Sequence, residues 1–119
     1  MRFLVVEDSA VDRHLITSVL EDLGHQVDVC PTTKGALDQL STGAYAAMFL
    51  DIVLPEQDGY KFLREVRSNQ KTAKQRVIFC SSKKTPLEVH YGLKRAGADD
   101  YLVKPVTRES MAKVLEKVS

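Results

Sequence analysis

The chain has 119 residues, 44% of them hydrophobic and 28% charged, which predicts one soluble globular domain with a real core and hardly two. The formal charge is +1 with the basic residues scattered, which argues against an electrostatic grip on nucleic acid or an anionic membrane. No apolar run approaches the ~20 residues of a membrane span, and no secretory signal follows Met1, so a cytoplasmic protein is expected.

Short apolar runs that do not alternate with polar residues read as strands buried on both faces, the habit of parallel sheets covered by helices. Residues 3–6 form the first, and it ends in Glu7-Asp8. Val11, Leu15, Val19 and Leu23 follow at four-residue spacing with Ile16 and Leu20 alongside; Ser9 and Asp12 offer a capping-box start, and Gly24 stops the helix. Residues 27–30 are a weaker second strand, and Ala36, Leu37 and Leu40 mark a short second helix. Residues 46–50 form a third strand that delivers Asp51; Asp58-Gly59 then opens a helix carried by Phe62, Leu63 and Val66. Residues 77–80 run into Ser81-Ser82, and Thr85-Pro86-Leu87-Glu88 combines a cap, a proline at the first helical position and a glutamate that reaches back. Gly97 ends that fourth helix. Residues 101–103 run into Lys104-Pro105, and Thr107 caps a fifth helix with Met111, Val114, Leu115 and Val118 as its stripe. That helix is expected to reach the C-terminus and leave no room for an effector domain.

Strand and helix thus alternate five times, which predicts right-handed crossovers and an open α/β parallel sheet. No repeat, low-complexity tract or linker interrupts the pattern. Cys30 and Cys80 lack metal-ligand spacing, and Cys80 reads as a small core residue. His14, His25 and His90 read as packing or surface residues.

Ligands of open parallel sheets bind beyond the carboxyl ends of the strands. Four of these ends carry polar residues able to converge: Glu7-Asp8, Asp51, Ser81-Ser82 and Lys104-Pro105. Each alone is ordinary, since Glu-Asp is usually a solvated turn, Ser-Ser a loop or cap, and Lys before Pro a surface lysine. One set per strand end on one edge is harder to explain by loops. Clustered carboxylates repel unless a cation relieves them, and oxygen ligands of this kind suit Mg²⁺. A lysine supplies a point charge for a phosphoryl oxygen, a serine hydroxyl can donate to another, and aspartate can accept phosphoryl groups covalently.

At these residues the sequence resembles a response-regulator receiver domain of the CheY type. The matching stretches are Val5-Val6-Glu7-Asp8-Ser9, Asp51-Ile52-Val53-Leu54-Pro55 with Asp58-Gly59, Ile78-Phe79-Cys80-Ser81-Ser82, and Gly97-Ala98-Asp99-Asp100-Tyr101-Leu102-Val103-Lys104-Pro105. The resemblance covers residues 1–119 and implies a flavodoxin-like (βα)5 doubly wound parallel sheet of strand order 2-1-3-4-5. In that order Cys30 and Cys80 lie on strands that do not touch, so no disulfide joins them.

The resemblance also implies roles. Asp51 is then the phosphoacceptor, and Asp8, Asp51 and the backbone carbonyl of Val53 hold Mg²⁺, with Glu7 acting through water. Ser81 hydrogen-bonds the phosphoryl group beside Ser82, Lys104 pairs with it, and the Lys104-Pro105 peptide is cis. Tyr101 becomes a switch aromatic that turns inward when Ser81 moves; without the resemblance it reads as an ordinary strand aromatic. The implied donor is a histidine kinase or phosphotransfer domain. The implied output is a protein target on the face of helix four, strand five and helix five, with no turnover chemistry.

Some positions depart from the family pattern. Leu54 stands where Met is usual, Ser81 where Thr is commoner, and Ser82 where Ala is usual. Val53 and Lys83 flank the acceptor, and Val53 cannot orient a hydrolytic water, so slow loss of phosphate is expected. Within the family, Gly24-His25-Gln26-Val27, Asp51-Ile52-Val53 and the stretch from Ser82-Lys83 through Tyr91-Gly92-Leu93-Lys94-Arg95-Ala96-Gly97 to Lys104-Pro105-Val106 resemble PilH-type regulators of pilus-based twitching or phototaxis. Three rival readings fit less well. An aspartate-nucleophile hydrolase needs a second aspartate where Val53 stands, a pseudo-receiver lacks the full acidic set and Lys104, and flavin binding needs a Ser/Thr/Gly-rich phosphate loop after the first strand.

Overall fold

Five parallel strands, β1 (Arg2–Val6), β2 (Gln26–Cys30), β3 (Ala47–Asp51), β4 (Val77–Ser81) and β5 (Asp100–Val103), lie in the order β2-β1-β3-β4-β5 in the computed structural model, which describes residues 1–118. The helices are α1 (Ala10–Asp22), α2 (Ala36–Leu40), α3 (Gly59–Ser68), α4 (Pro86–His90) and α5 (Arg108–Leu115). The fold is the flavodoxin-like one.

The central strands are apolar throughout because successive side chains leave a strand on opposite faces and both faces are covered. Leu4, Val6, Met48, Leu50 and Phe79 pack with Phe62, Leu63 and Val66 on one side of the sheet. Phe3, Val5, Phe49, Ile78 and Cys80 pack with Ile16, Leu20, Met111 and Val114 on the other. The edge strand β2 is weaker for a physical reason: it carries Asp28, whose carboxylate accepts from the Arg2 guanidinium at 3.0 Å and the Tyr45 hydroxyl at 2.7 Å.

The first helix is where the sequence pattern misleads. Val11 of the four-residue series is 78% exposed, and the fully buried residues are Ile16 and Leu20. A four-residue step overshoots the 3.6-residue turn by about 40°, so a long series at that spacing walks off the core face. The expected capping box is half formed. Asp12 N–H donates to Ser9 Oγ at 3.3 Å, but Ser9 N–H turns to Glu7 Oε2 at 3.1 Å, and the Asp12 carboxylate points elsewhere.

The capping box of α4 is complete, with Pro86 at its start. Beyond His90 the helix widens into a π-type turn over Tyr91–Arg95, with Ala96 N–H reaching back to Tyr91 C=O at 2.9 Å. Helix α5, capped by Thr107, ends at Leu115 and so stops short of the expected C-terminal reach; the chain continues in turns that bring Val118 back onto the core, and Ser119 lies outside the described residues. Cys30 and Cys80 are buried free thiols on strands separated by β1 and β3. No described helix is long and apolar enough to cross a membrane.

Gly59 fixes the approach of α3 to the end of β3. Its N–H donates to Ile52 C=O at 2.6 Å, and a Cβ there would collide with the Asp51 carbonyl oxygen and lie 2.9 Å from Ile52 Cα. Because backbone cannot move aside cheaply, Gly59→Ala is expected to lower stability by about 2 kcal/mol, read from the urea midpoint; an unchanged midpoint would contradict this packing.

Candidate acidic site at the strand ends

Parallel strands all present their carboxyl ends on one edge, so the last residues of β1, β3, β4 and β5 meet there. Asp51 and Ser81 are themselves the final residues of β3 and β4, held in register by the sheet and almost completely buried. Glu7 and Asp8 follow β1, with Glu7 1% exposed and Asp8 open to solvent. One carboxylate oxygen from each of Glu7, Asp8 and Asp51 lies within 4.8 Å of the others.

Lys104 reaches into this cluster from the end of β5. Its Nζ lies 2.6 Å from Glu7 Oε1, 3.1 Å from Asp12 Oδ2 and 3.5 Å from Asp51 Oδ2. Burial would lower the lysine pKa, but the bonds to Glu7 and Asp12 and the charge of Asp51 overcome it and hold Lys104 above its ordinary range. For Glu7 burial wins instead: reinforced by the Asp51 charge, it outweighs Lys104 and the Ser9 N–H and pushes the carboxyl up to about 7. The Lys104 ammonium at 2.6 Å is the one group set against the buried Glu7 Oε1, so this oxygen keeps a second lone pair unused. That atom, two neighbouring carboxylates and an open side at Asp8 fit a small hard divalent cation that retains water.

The remaining expected positions fall around this cluster. Val53 N–H donates to Asp51 Oδ1 at 3.4 Å, while the residue as a whole is 63% exposed. Ser81 Oγ accepts from Lys83 N–H at 3.1 Å, and Ser82 is exposed at the rim. The Lys104-Pro105 peptide is cis. Tyr101 lies opposite Phe79, two strand positions behind Ser81, buried, its hydroxyl donating to Lys83 C=O at 2.7 Å.

The model of the response regulator receiver domain matches residues 3–116. The chain belongs to the response-regulator receiver family. This receiver domain is 31% identical to the protein PilH of Pseudomonas aeruginosa over 98% of this chain and 96% of that one. It is 33% identical to the two-component response regulator ORR11 of Oryza sativa over 97% of this chain and 78% of the relative. Among solved structures it resembles the receiver domain of the sensor histidine kinase PA1611 from Pseudomonas aeruginosa, described with a magnesium ion coordinated in its active-site cleft, with a TM-score of 0.85, 28% identity and coverage of 98% and 95%. The Vibrio cholerae chemotaxis protein CheY4 shares the fold with a TM-score of 0.87 at 24% identity, covering 99% of this chain and 98% of the other. As a CheY-like response regulator of two-component signalling, the receiver is a switch rather than a turnover enzyme.

Two contributors to the receiver's charge network escape a sequence reading. Asp12 reads as a helix-start residue, yet its carboxylate binds Lys104 across the molecule. Arg13 donates from Nη1 to the Glu7 carbonyl at 3.0 Å and pins the loop after β1. Their only sequence signal is placement in the first turn of a helix whose start faces the site.

The raised Glu7 pKa carries a stability signature. A carboxyl whose folded pKa lies above its ordinary 4.5 favours the folded state while protonated. In metal-free buffer that contribution is full below about pH 4.5 and is lost as pH rises through about 7. Urea midpoints of wild type relative to Glu7→Gln should therefore fall across that window; a flat difference would place the Glu7 pKa near its ordinary value.

Proposed function

We propose that this receiver accepts a phosphoryl group on Asp51 from a histidine kinase or phosphotransfer domain and passes the change to a protein partner. The observation that carries this reading is the convergence of Glu7, Asp8 and Asp51 with Lys104 at one strand edge. An Asp51 carboxylate oxygen would attack the phosphorus of a phosphohistidine as the P–N bond breaks, leaving an acyl phosphate and an imidazole that takes up a proton. Asp8, Asp51 and the Val53 carbonyl would hold Mg²⁺ directly and Glu7 through water. The bound ion would supply charge neutralisation for the transferring phosphoryl oxygens.

The chain's own groups do the rest. Lys104, already at 3.5 Å from Asp51, provides the fixed positive charge beside the acceptor. The Ser81 hydroxyl accepts from Lys83 N–H and so keeps its own hydrogen for a phosphoryl oxygen. Ser82 stands at the rim, where it narrows access. The added charge, about −1.5 to −2 for a phosphate ester, would draw Ser81 and Lys104 and shift the face of α4, β5 and α5 between binding states. Exposed Leu87, Tyr91 and Val103 on that face suit a protein target, and nucleic acid or membrane has no place in the reading. A cytoplasmic location goes with a phosphohistidine donor. A role in pilus or taxis control is the finer reading, supported by the relationship to PilH.

Phosphotransfer from candidate kinases, followed with labelled phosphate, should label wild type and not Asp51→Asn; label persisting in the variant would overturn the assignment. Val53 offers no group to orient attacking water, so Asp51 should shed phosphate slowly. Val53→Asn is expected to shorten the phosphate lifetime, and a wild type that loses label faster than this variant would contradict it.

A further inference from the structure

Asp12 is the one carboxylate on Lys104 that stands outside the acidic cluster. Oxygens of Glu7, Asp8 and Asp51 lie within 4.8 Å of one another, whereas Asp12 is the third residue of α1. Its Oδ2 nevertheless accepts from Lys104 Nζ at 3.1 Å, nearer than Asp51 Oδ2 at 3.5 Å. Lys104 is its only cationic partner among the described residues. The neighbouring Arg13 turns its guanidinium to the carbonyls of Glu7 and Asp8 instead, at 3.0 and 3.4 Å.

This placement is built into one loop. Ser9 N–H bonds to Glu7 Oε2 at 3.1 Å, Asp12 N–H to Ser9 Oγ at 3.3 Å, and Arg13 N–H to Ser9 C=O at 2.8 Å. Glu7 and Asp12 are thereby fixed relative to each other and face the ammonium together, at 2.6 and 3.1 Å. The root of the lysine is set from the other side, where Lys104 N–H bonds to Ser81 C=O at 2.9 Å. An ammonium has three N–H donors. The one given to Asp12 is not available to Asp51 or to an anion bound there.

The two ligands of the site feel Asp12 with opposite signs. Drawing Lys104 towards α1 leaves the Asp51 carboxylate less neutralised, and the Asp12 charge itself attracts a cation. A phosphoryl group is an anion, and it meets both a repelling carboxylate and a lysine already engaged. We infer that Asp12 is a positioning residue that sets the balance of the site, favouring the divalent cation and opposing the phosphoryl group by its hold on Lys104. The anion half rests on Asp51 being the phosphoacceptor; the cation half does not.

A carboxylate in the first turn also suits the positive end of a helix, so stability alone does not separate the two roles. The test therefore measures two affinities on the full chain, in wild type, Asp12→Asn and Asp12→Ala. Mg²⁺ is titrated against backbone amide resonances. Beryllofluoride is then titrated at Mg²⁺ levels saturating for all three proteins and followed by its bound fluorine signal. Because Asp12 is a third exposed, its charge is partly screened, and both variants should bind Mg²⁺ roughly threefold more weakly and beryllofluoride roughly threefold more tightly. Both differences should shrink as ionic strength rises. Affinities that fall together mark a general defect of α1 and overturn the proposal, as do an unchanged Mg²⁺ affinity and a wild type that binds no Mg²⁺. An Asp12→Asn protein that matches wild type while Asp12→Ala shifts makes Asp12 a neutral acceptor and also overturns it. If wild type with Mg²⁺ gives no bound fluorine signal, the failure belongs to the phosphoacceptor reading, and the Mg²⁺ affinities still decide the cation half.

Discussion

The rest of the site depends on one ammonium group among three carboxylates. Lys104 touches Glu7, Asp12 and Asp51, which come from the end of β1, the first turn of α1 and the end of β3. Groups this buried are costly to leave unpaired, and removing one partner of a buried ion pair typically costs about 3–5 kcal/mol. The lysine therefore holds the strand ends together as well as marking where negative charge can be received. The two Glu7 oxygens divide the work: Oε2 takes the Ser9 N–H, and Oε1 faces the ammonium.

That arrangement is poised rather than satisfied. Glu7 is buried beside a second carboxylate, and burial first and the Asp51 charge second push its pKa up to about 7 in spite of Lys104. A divalent cation and a phosphoryl group make opposite demands on such a cluster, the first needing carboxylates and the second needing Lys104. Receiver domains place both sets at one edge, and the parallel sheet makes this possible because all its strands end there.

The same geometry ties the edge to the α4–β5 side. Ser81 is bound to the Lys83 amide, and the Lys83 carbonyl to Tyr101, so a single residue joins the buried serine to the tyrosine. Tyr60, Phe79, Tyr91 and Tyr101 meet edge to face and join α3, β4, the turn after α4 and β5 in one aromatic cluster.

Local patterns were legible in the sequence because they depend on neighbours in the chain. The apolar runs ending in Glu7-Asp8, Asp51, Ser81 and Lys104 announced strands buried on both faces, and the Thr85-Pro86-Glu88 signal announced a capped helix. Family motifs supplied the strand order. Both apolar rows of α1 were legible, but spacing alone cannot say which faces the sheet; packing buries Ile16 and Leu20 fully, sets Val19 and Leu23 beside them and leaves Val11 exposed. Asp12 looked like half of a capping box, but a carboxylate goes to the strongest charge within reach, and Lys104, 92 residues away in sequence, was brought there only by folding. Gly92 read as part of a motif, and only the fold shows that a side chain there would meet the rings of Tyr101 and Phe79. The sequence by itself determined the order of elements and the chemical types at the strand ends. The tertiary structure decided which of those groups touch, because contacts between distant residues are set by sheet register and helix packing rather than by any local pattern.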